Sequence, residues 1–168
     1  MKYVIVMSCK GGTGKSLVSV NIAMRLAEKG VKVGIVDTDV DSPNIPEMFG
    51  LKPPIEQKRD LTFIPKEYRG IKVISTGLFD KTSDVFTICK SGIENQQIIM
   101  DMIRNTDWGD TEVLVIDQPA GSSDELRAIL SIMPPDSLIG VVLVTLPVTP
   151  EDTIRVINLC TRFRLRIV

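Results

Sequence analysis

A short stretch near the start of the chain combines glycines, lysines and hydroxyls at close spacing. Residues 8–16 read SCKGGTGKS, between an apolar run and a helical pattern. Glycines allow positive φ and close approach of the backbone to a ligand, and the N–H groups at the start of a helix favour anions. The stretch therefore predicts a phosphate-binding loop between a strand and a helix.

The end of this loop fits the general pattern G-x-x-x-x-G-K-[ST], which binds nucleoside triphosphates. Gly14, Lys15 and Ser16 match it, but its first glycine falls on Cys9, so the loop is the variant K-G-G-x-G-K-[ST]. We expect the ammonium of Lys15 to reach the β- and γ-phosphates and the hydroxyl of Ser16 to bind Mg²⁺. The predicted nucleotide-binding residues form one run: Lys10, Gly11, Gly12, Thr13, Gly14, Lys15, Ser16 and Leu17.

Carboxylates follow two apolar runs further along the chain. The first run ends in VDTDVDSP, where Asp37, Asp39 and Asp41 alternate and an extended segment would place them on one side. Such a group repels itself unless a cation holds it, and Mg²⁺ is the expected cation opposite a phosphate loop. A solvated acidic turn is the alternative. The second run ends in VIDQPAG, where Asp117 fits the Walker B pattern that supports Mg²⁺ directly or through water.

Apolar runs that alternate with helical patterns must position these side chains. Such alternation indicates a parallel sheet covered by helices on both faces, with ligands beyond the carboxyl ends of the strands. We predict an α/β, doubly wound, mostly parallel sheet of P-loop NTPase fold, a single domain over residues 1–168 that is short at its C-terminus. The predicted strands are residues 2–8, 31–37, 71–76, 112–117 and 138–146, and the predicted helices are residues 16–29, 96–105, 124–133 and 151–163.

Two segments fit this alternation less well. Residues 44–70 are rich in proline and charge, which predicts a loop with at most short helical turns. The last residues, RFRLRIV, are interpreted as an incomplete or edge strand, and a basic tail that touches a membrane is the alternative.

The composition restricts the kinds of site. The formal net charge is −1 with a pI of about 5.5, so no global positive field draws the chain to nucleic acid, and no histidine is present as base or metal ligand. Cys9, Cys89 and Cys160 include no C-x-x-C pair, so the sequence offers no iron–sulfur cluster site of usual spacing. An odd cysteine count without a signal peptide indicates a reducing, cytoplasmic location. We expect neither nucleic acid nor a membrane as a partner.

The loop SCKGGTGKS resembles the deviant Walker A loop of the MinD/ParA class of ATPases, which includes the nitrogenase iron protein and the Mrp/ApbC-like proteins. The resemblance implies a nucleotide-dependent homodimer in which Lys10 crosses the interface to the partner's phosphates, as an arginine finger does. It implies that Asp39 orients the attacking water and that Asp37 holds Mg²⁺-bound water. The implied catalytic residues are Lys10, Lys15 and Asp39, and the implied metal-binding residues are Ser16, Asp37 and Asp117.

Two longer stretches are similar to the Mrp/ApbC proteins, which are ATP-dependent iron–sulfur cluster carriers. DTDVDSPNIPEMFGL (37–51) is close to their D-A-D-x-x-G-P-S-I-P-x-M-L-G-L, and DWGDTEVLVIDQPAGSSDE (107–125) is close to their W-G-x-L-D-x-L-V-I-D-x-P-P-G-T-G-D. The sequence departs from these patterns at Asp41-Ser42, Ala120 and Ser122-Ser123. The resemblance implies ATP and Mg²⁺ as cofactors and a client apo-protein as partner. The family's cluster-binding C-x-x-C has no counterpart in these residues.

Two other functions stay open from the sequence. A positioning or partition ATPase of the MinD or ParA type requires a membrane helix or a basic DNA-binding patch, and only RFRLR points that way. A non-catalytic nucleotide-binding module requires nucleotide binding without phosphate release.

Overall fold

The computed structural model describes residues 1–80, 92–121, 123–134, 136–145 and 150–168. The strands are β1 (Lys2–Met7), β2 (Val33–Asp37), β3 (Glu56–Gln57), β4 (Phe63–Ile64), β5 (Lys66–Tyr68), β6 (Ile71–Ser75), β7 (Val113–Asp117) and β8 (Leu138–Leu143). The α-helices are α1 (Lys15–Glu28), α2 (Ile45–Met48), α3 (Gly92–Arg104), α4 (Ser123–Ile132) and α5 (Pro150–Arg162), and Thr76–Leu78 form a 3-10 turn. Three positions named from the sequence lie outside the described residues: Cys89, Ser122 and Leu146.

The main sheet has six strands in the order β5-β6-β2-β7-β1-β8. All neighbours pair in parallel except β5, which runs antiparallel to β6 at one edge. This arrangement confirms the predicted doubly wound, mostly parallel sheet. Because parallel strands share a direction, the carboxyl ends of β1, β2, β6, β7 and β8 lie at one edge of the sheet, where the predicted site residues follow.

Apolar side chains cover both faces of the sheet. On one face, Val20 and Ala23 of α1 pack with Ile35 of β2 and Val115 of β7. On the other face, side chains of α3, α4 and α5 pack with alternate residues of the same strands, among them Ile116. This alternation has a consequence for the site, because Asp37 and Asp117 share the α1 face with the residues two positions before them.

Residues 44–70 contain more regular structure than the sequence predicts. The predicted short helical turn is present as α2. The three short strands β3, β4 and β5 were not predicted, since β3 and β4 pair only with each other and β5 gains its partner from β6. Pairing of two or three residues depends on tertiary neighbours, which a local pattern of prolines and charges does not reveal.

The C-terminal residues lie beside the outer edge of β8. Ile167 forms a parallel bridge with Val141, supported by the bond from the Val141 N–H to the Arg166 carbonyl at 2.7 Å. The single bridge agrees with the interpretation of RFRLRIV as an incomplete or edge strand, and the pairing is limited to the residues around Ile167. Across the part of the chain that the structure describes, no helix has both the length and the apolar character needed to cross a bilayer.

Gly34 in β2 leaves room for the ring of Trp108, which packs against this strand. A Cβ at Gly34 would lie 2.6 Å from Cζ3 of Trp108 and 2.8 Å from Cδ1 of Leu114. The Trp108 indole is buried and its Nε1 donates to the Ile103 carbonyl at 2.8 Å, so the ring is held from both sides. Glycine is required here for close packing, not for backbone freedom.

Gly34→Ala should destabilise the chain by about 1–3 kcal/mol, because the ring and the backbone must move apart. The measurement is the free energy of unfolding in urea, followed by circular dichroism. Trp108→Leu removes most of the obstructing ring, so adding Gly34→Ala to that variant should cost clearly less than adding it to the wild type. Equal costs in the two backgrounds would show that the ring is not the obstacle.

Candidate functional site

The loop between β1 and α1 has the backbone shape that its glycines predict. Gly12 and Gly14 have φ of 73° and 87°, in the left-handed region that favours glycine. Gly14 caps α1 with no side-chain hydrogen bond, and no acidic residue lies in the first turn. An added Cβ at Gly11, Gly12 or Gly14 would meet no atom within 4 Å, so there is open space beside the loop. The first N–H groups of α1 are therefore available to a phosphate.

Asp117, the last residue of β7, is bonded to the first turns of α1. Ser16 Oγ donates to Asp117 Oδ2 at 2.6 Å, and Ser19 Oγ donates to Asp117 Oδ1 at 2.7 Å. Lys15 is 9% exposed in the same turn. The structure thus brings together a hydroxyl and a carboxylate that were both predicted to support Mg²⁺. Ser19 was missed by the sequence reasoning, although its position three residues after Ser16 places it on the same side of the helix.

Asp37, the last residue of β2, stands opposite Asp117 in the register of the two strands. Its Oδ1 accepts the N–H of Asp39 at 3.1 Å. Its Oδ2 accepts the N–H groups of Asn44 at 3.1 Å and Ile45 at 3.2 Å and the hydroxyl of Ser75 at 3.2 Å. Both oxygens of this predicted metal-binding carboxylate are therefore bonded to protein donors. Neither Ser75 nor the start of α2 was predicted as part of the site.

The two buried carboxylates differ from ordinary ones in their affinity for protons. Burial, together with the smaller effect of the neighbouring Asp117, raises the pKa of Asp37 to about 7, against the lowering effect of the hydrogen bonds to Ile45, Asp39 and Ser75. Burial also raises the pKa of Asp117, against the lowering effects of the Ser16 and Ser19 hydroxyls and of the Lys15 ammonium. A cation between these strand ends would favour the ionised forms of both groups.

The remaining predicted residues lie around this pair. Asp39 is half-buried and its Oδ1 accepts the Ser42 N–H at 3.0 Å, while Asp41 is exposed. Lys10 is exposed, and its carbonyl accepts the Ser8 hydroxyl at 2.7 Å. Asp39 and Asp41 lie in the same loop, between β2 and α2.

Polar atoms without partners mark the same region. The Thr13 hydroxyl in the glycine loop is buried with no hydrogen-bond partner. The side-chain amide of Gln118, directly after Asp117, is also buried, and neither its Oε1 nor its Nε2 has a hydrogen-bond partner. Gln118 was not predicted as a site residue, and the sequence gives no signal for its unpaired amide. Such groups are uncommon in a folded interior.

The donor set suits a magnesium ion that is held mainly by phosphate and water. Among the described residues, no group of three or more His, Cys, Asp or Glu side chains is arranged to hold a metal. Mg²⁺ commonly takes one or two protein oxygens and keeps waters and phosphate oxygens as its other ligands. Ser16 and Asp117, in contact beside an open phosphate cradle, fit that requirement.

A parallel sheet whose first strand leads through a glycine loop into a helix, with a buried carboxylate ending the neighbouring strand, defines the P-loop NTPase class. The family model of ParA, described as NUBPL iron-transfer P-loop NTPase, matches residues 1–168. The chain belongs to this family.

Curated relatives of the chain include proteins of iron–sulfur metabolism. The iron-sulfur cluster carrier protein of Rickettsia conorii is 37% identical over 168 residues, which cover 99% of the chain and 51% of the relative. The cytosolic Fe-S cluster assembly factor nubp2 of Xenopus laevis is 33% identical over 171 residues, which cover 98% of the chain and 63% of the relative. The chain thus spans 51% of the length of the first of these relatives and 63% of the second.

Solved structures confirm the fold. The nucleotide-binding protein from Archaeoglobus fulgidus in complex with ADP matches with a TM-score of 0.71 at 28% identity, over 99% of this chain and 63% of that one. MinD of Pyrococcus horikoshii, complexed with Mg-ADP, matches with a TM-score of 0.68 at 20% identity, over 99% of this chain and 67% of that one. The likeness to MinD shows the fold alone, while the sequence relatives lie in the iron–sulfur branch that residues 37–51 resemble.

Asp37→Asn should make the stability of the Mg²⁺-free chain less dependent on pH. The folded pKa of Asp37 is about 7 and the ordinary value is 3.8, so the folded chain keeps a proton that the unfolded chain releases. The stability that this proton provides is lost as the pH rises from about 4 to about 7. We therefore expect the free energy of unfolding of the wild type to fall, relative to that of D37N, between about pH 4.5 and about pH 8.

Urea denaturation of both proteins at the two pH values measures the difference. Asp41→Asn, which removes a carboxyl from an exposed position in the adjoining loop, is the matched control and should keep the wild-type slope. Identical slopes for wild type and D37N would contradict the raised pKa.

Proposed function

We propose that the chain is a Mg²⁺-dependent ATPase in which bound nucleotide links two copies, and that this switch serves the transfer of iron–sulfur clusters to client apo-proteins in the cytoplasm. One observation carries the proposal: Ser16 and Asp117 are in contact at 2.6 Å, at the uncapped start of α1. At the start of the helix after a phosphate loop, a hydroxyl that donates a hydrogen bond to a buried carboxylate is the pair of groups that supports a nucleotide-bound metal.

The triphosphate is held by groups of the loop and of α1. We assign the N–H groups of Gly12, Gly14 and Lys15 to its oxygens, since the left-handed glycines shape the loop and open space lies beside it. The Lys15 ammonium neutralises charge on the β- and γ-phosphates. Its burial strengthens this attraction, since water screens it less than it would a surface charge.

Magnesium, when bound, supplies positive charge that stabilises the phosphate oxygens during transfer of the γ-phosphoryl group. The Ser16 hydroxyl and the Asp117 carboxylate would hold it. Asp39, in the loop after β2, orients the attacking water, and Lys10 of a second copy offsets charge on the transferring group. The exposure of Lys10 is consistent with contact to another copy.

The iron–sulfur part of the proposal comes from the relatives. Proteins more than 30% identical to the chain are named iron-sulfur cluster carrier or Fe-S cluster assembly factor. The cluster is cargo in this proposal. Of the two cysteines in the described part of the chain, Cys160 is fully buried and burial raises the pKa of its thiol. We therefore assign the nucleotide-driven step, not cluster ligation, to the described residues.

Lys15→Ala should weaken the binding of Mg-ATP by about 10- to 100-fold, the effect of losing hydrogen bonds to a charged group. It should reduce phosphate release to the background rate. Isothermal calorimetry and a phosphate-release assay measure the two effects. Lys29→Ala, which removes the same charge at the other end of α1, is the matched control and should behave as the wild type. Equal phosphate release by wild type and K15A would refute the proposed ATPase.

Lys10→Ala separates the role across the interface from nucleotide binding. We expect turnover to fall by at least about 10-fold, as for loss of a charge supplied in trans, while the affinity of the monomer for ATP changes little. Dimer formation with Mg-ATP, followed by light scattering after size exclusion, should also decrease. Lys52→Ala, which removes another exposed lysine outside the glycine loop, is the control. Loss of all nucleotide binding in K10A would count against a role in trans.

A further inference from the structure

The segment between β2 and α2, residues 38–44, is termed the aspartate loop because it contains Asp39 and Asp41. It is tied to the fold at several points. The Thr38 N–H and hydroxyl both donate to the Asp117 carbonyl, at 3.0 and 2.7 Å. The Thr76 hydroxyl donates to the Val40 carbonyl at 3.2 Å. The loop that carries the proposed water-orienting residue is therefore held to β7 and to the 3-10 turn after β6 by hydrogen bonds.

Asp37 accepts more of the hydrogen bonds that hold this region than any other residue named here. Its carboxylate receives N–H groups from both ends of the aspartate loop, namely from Asp39 and from Asn44 and Ile45, and a hydroxyl from Ser75. Both oxygens of an ionised carboxylate act only as acceptors, and here Oδ2 accepts three of the four bonds and Oδ1 accepts one. Asp37 is 1% exposed, so each of these bonds replaces water that burial has removed.

We propose that Asp37 is a positioning residue, whose carboxylate closes the aspartate loop and thereby fixes Asp39 for the hydrolysis proposed above. The reaction that Asp39 serves rests on the proposed function, whereas the closure of the loop does not. This role differs from the one implied by resemblance, in which Asp37 holds Mg²⁺-bound water. Its bonds run to three segments of the protein: the aspartate loop, the start of α2 and the end of β6.

The chemistry of the side chain explains why a carboxylate is needed at this position. Asparagine has one acceptor oxygen and a donor NH₂ group in place of the second oxygen. In D37N either the Asp39 N–H or the N–H groups of Asn44 and Ile45 would face that NH₂ group. The loop would then lose one of its two ends, and Asp39 would lose its fixed position. A misplacement of about 1 Å in a catalytic group can cost about 100-fold in rate.

The first test measures closure directly, with no nucleotide and no Mg²⁺ present. Amide hydrogen exchange is followed by NMR for Asn44 and Ile45 above pH 7. We expect exchange in D37N to be at least about 10-fold faster than in the wild type, and in Ser75→Ala about 2- to 10-fold faster, the effect of one lost bond. Ser75→Ala keeps the carboxylate, so it gives a result even if D37N folds poorly. Unchanged protection in both variants would overturn the proposal.

The second test separates positioning from metal binding. In a phosphate-release assay, kcat and the Mg²⁺ concentration for half-maximal rate are compared for D37N, Ser75→Ala and Thr76→Ala. We expect kcat to fall about 10- to 100-fold in D37N and less in the other two, with the half-maximal Mg²⁺ concentration within about 2-fold of the wild type. Thr76 bonds the aspartate loop but not Asp37, so it tests the loop alone.

An increased Mg²⁺ requirement in D37N, with Ser75→Ala and Thr76→Ala unaffected, would show that Asp37 acts through the metal and would overturn the positioning role. If the wild type released no phosphate, the proposed ATPase would fail. The exchange measurement would still decide whether Asp37 closes the loop, so the two failures are distinguishable.

Discussion

Two buried carboxylates at the ends of neighbouring parallel strands constrain everything around them. Asp37 and Asp117 stand opposite each other in the register of β2 and β7, and each is 1% exposed. Neighbouring like charges repel, and burial disfavours the ionised form of both groups, so each carboxylate needs hydrogen-bond donors around it. Asp117 obtains its donors from α1, and Asp37 obtains them from the aspartate loop, α2 and β6. The demands of this pair therefore join α1 and β6 to the continuous stretch from the end of β2 to the start of α2.

The phosphate cradle complements the pair electrostatically. The start of α1 carries no acidic residue and no side-chain cap, so its partial positive charge is not neutralised within the helix. Lys15 adds a full charge in the same turn. Two buried carboxylates with raised pKa values on one side and amides without a side-chain cap on the other leave a place where a polyanion with its counter-cation restores the charge balance. Open space beside the glycines gives that ligand room.

Much of this arrangement follows from local sequence. The apolar runs predict the strands of the parallel sheet, and their last residues predict that Asp37 and Asp117 meet at one edge, because all parallel strands end there. The hydrogen bonds that hold the pair do not follow in the same way. Those to Asp37 come from backbone N–H groups of Asn44 and Ile45 and from Ser75. Every residue except proline has a backbone N–H group, so the sequence does not show which of them donates to a given carboxylate. The short strands β3 to β5 escape prediction for the related reason that their partners are set by the tertiary fold.

The packing of Trp108 on Gly34 gives the protein an internal optical probe. Trp108 is the single tryptophan of the chain, and its buried indole rests on β2 below the strand end that carries Asp37. Three residues of strand, about 10 Å, separate Gly34 from that end. Fluorescence from this indole therefore reports the integrity of the central sheet, with only two tyrosines contributing to the background. Ligand binding at the glycine loop can be followed with an added dye, because no second indole emission overlaps with the signal of Trp108.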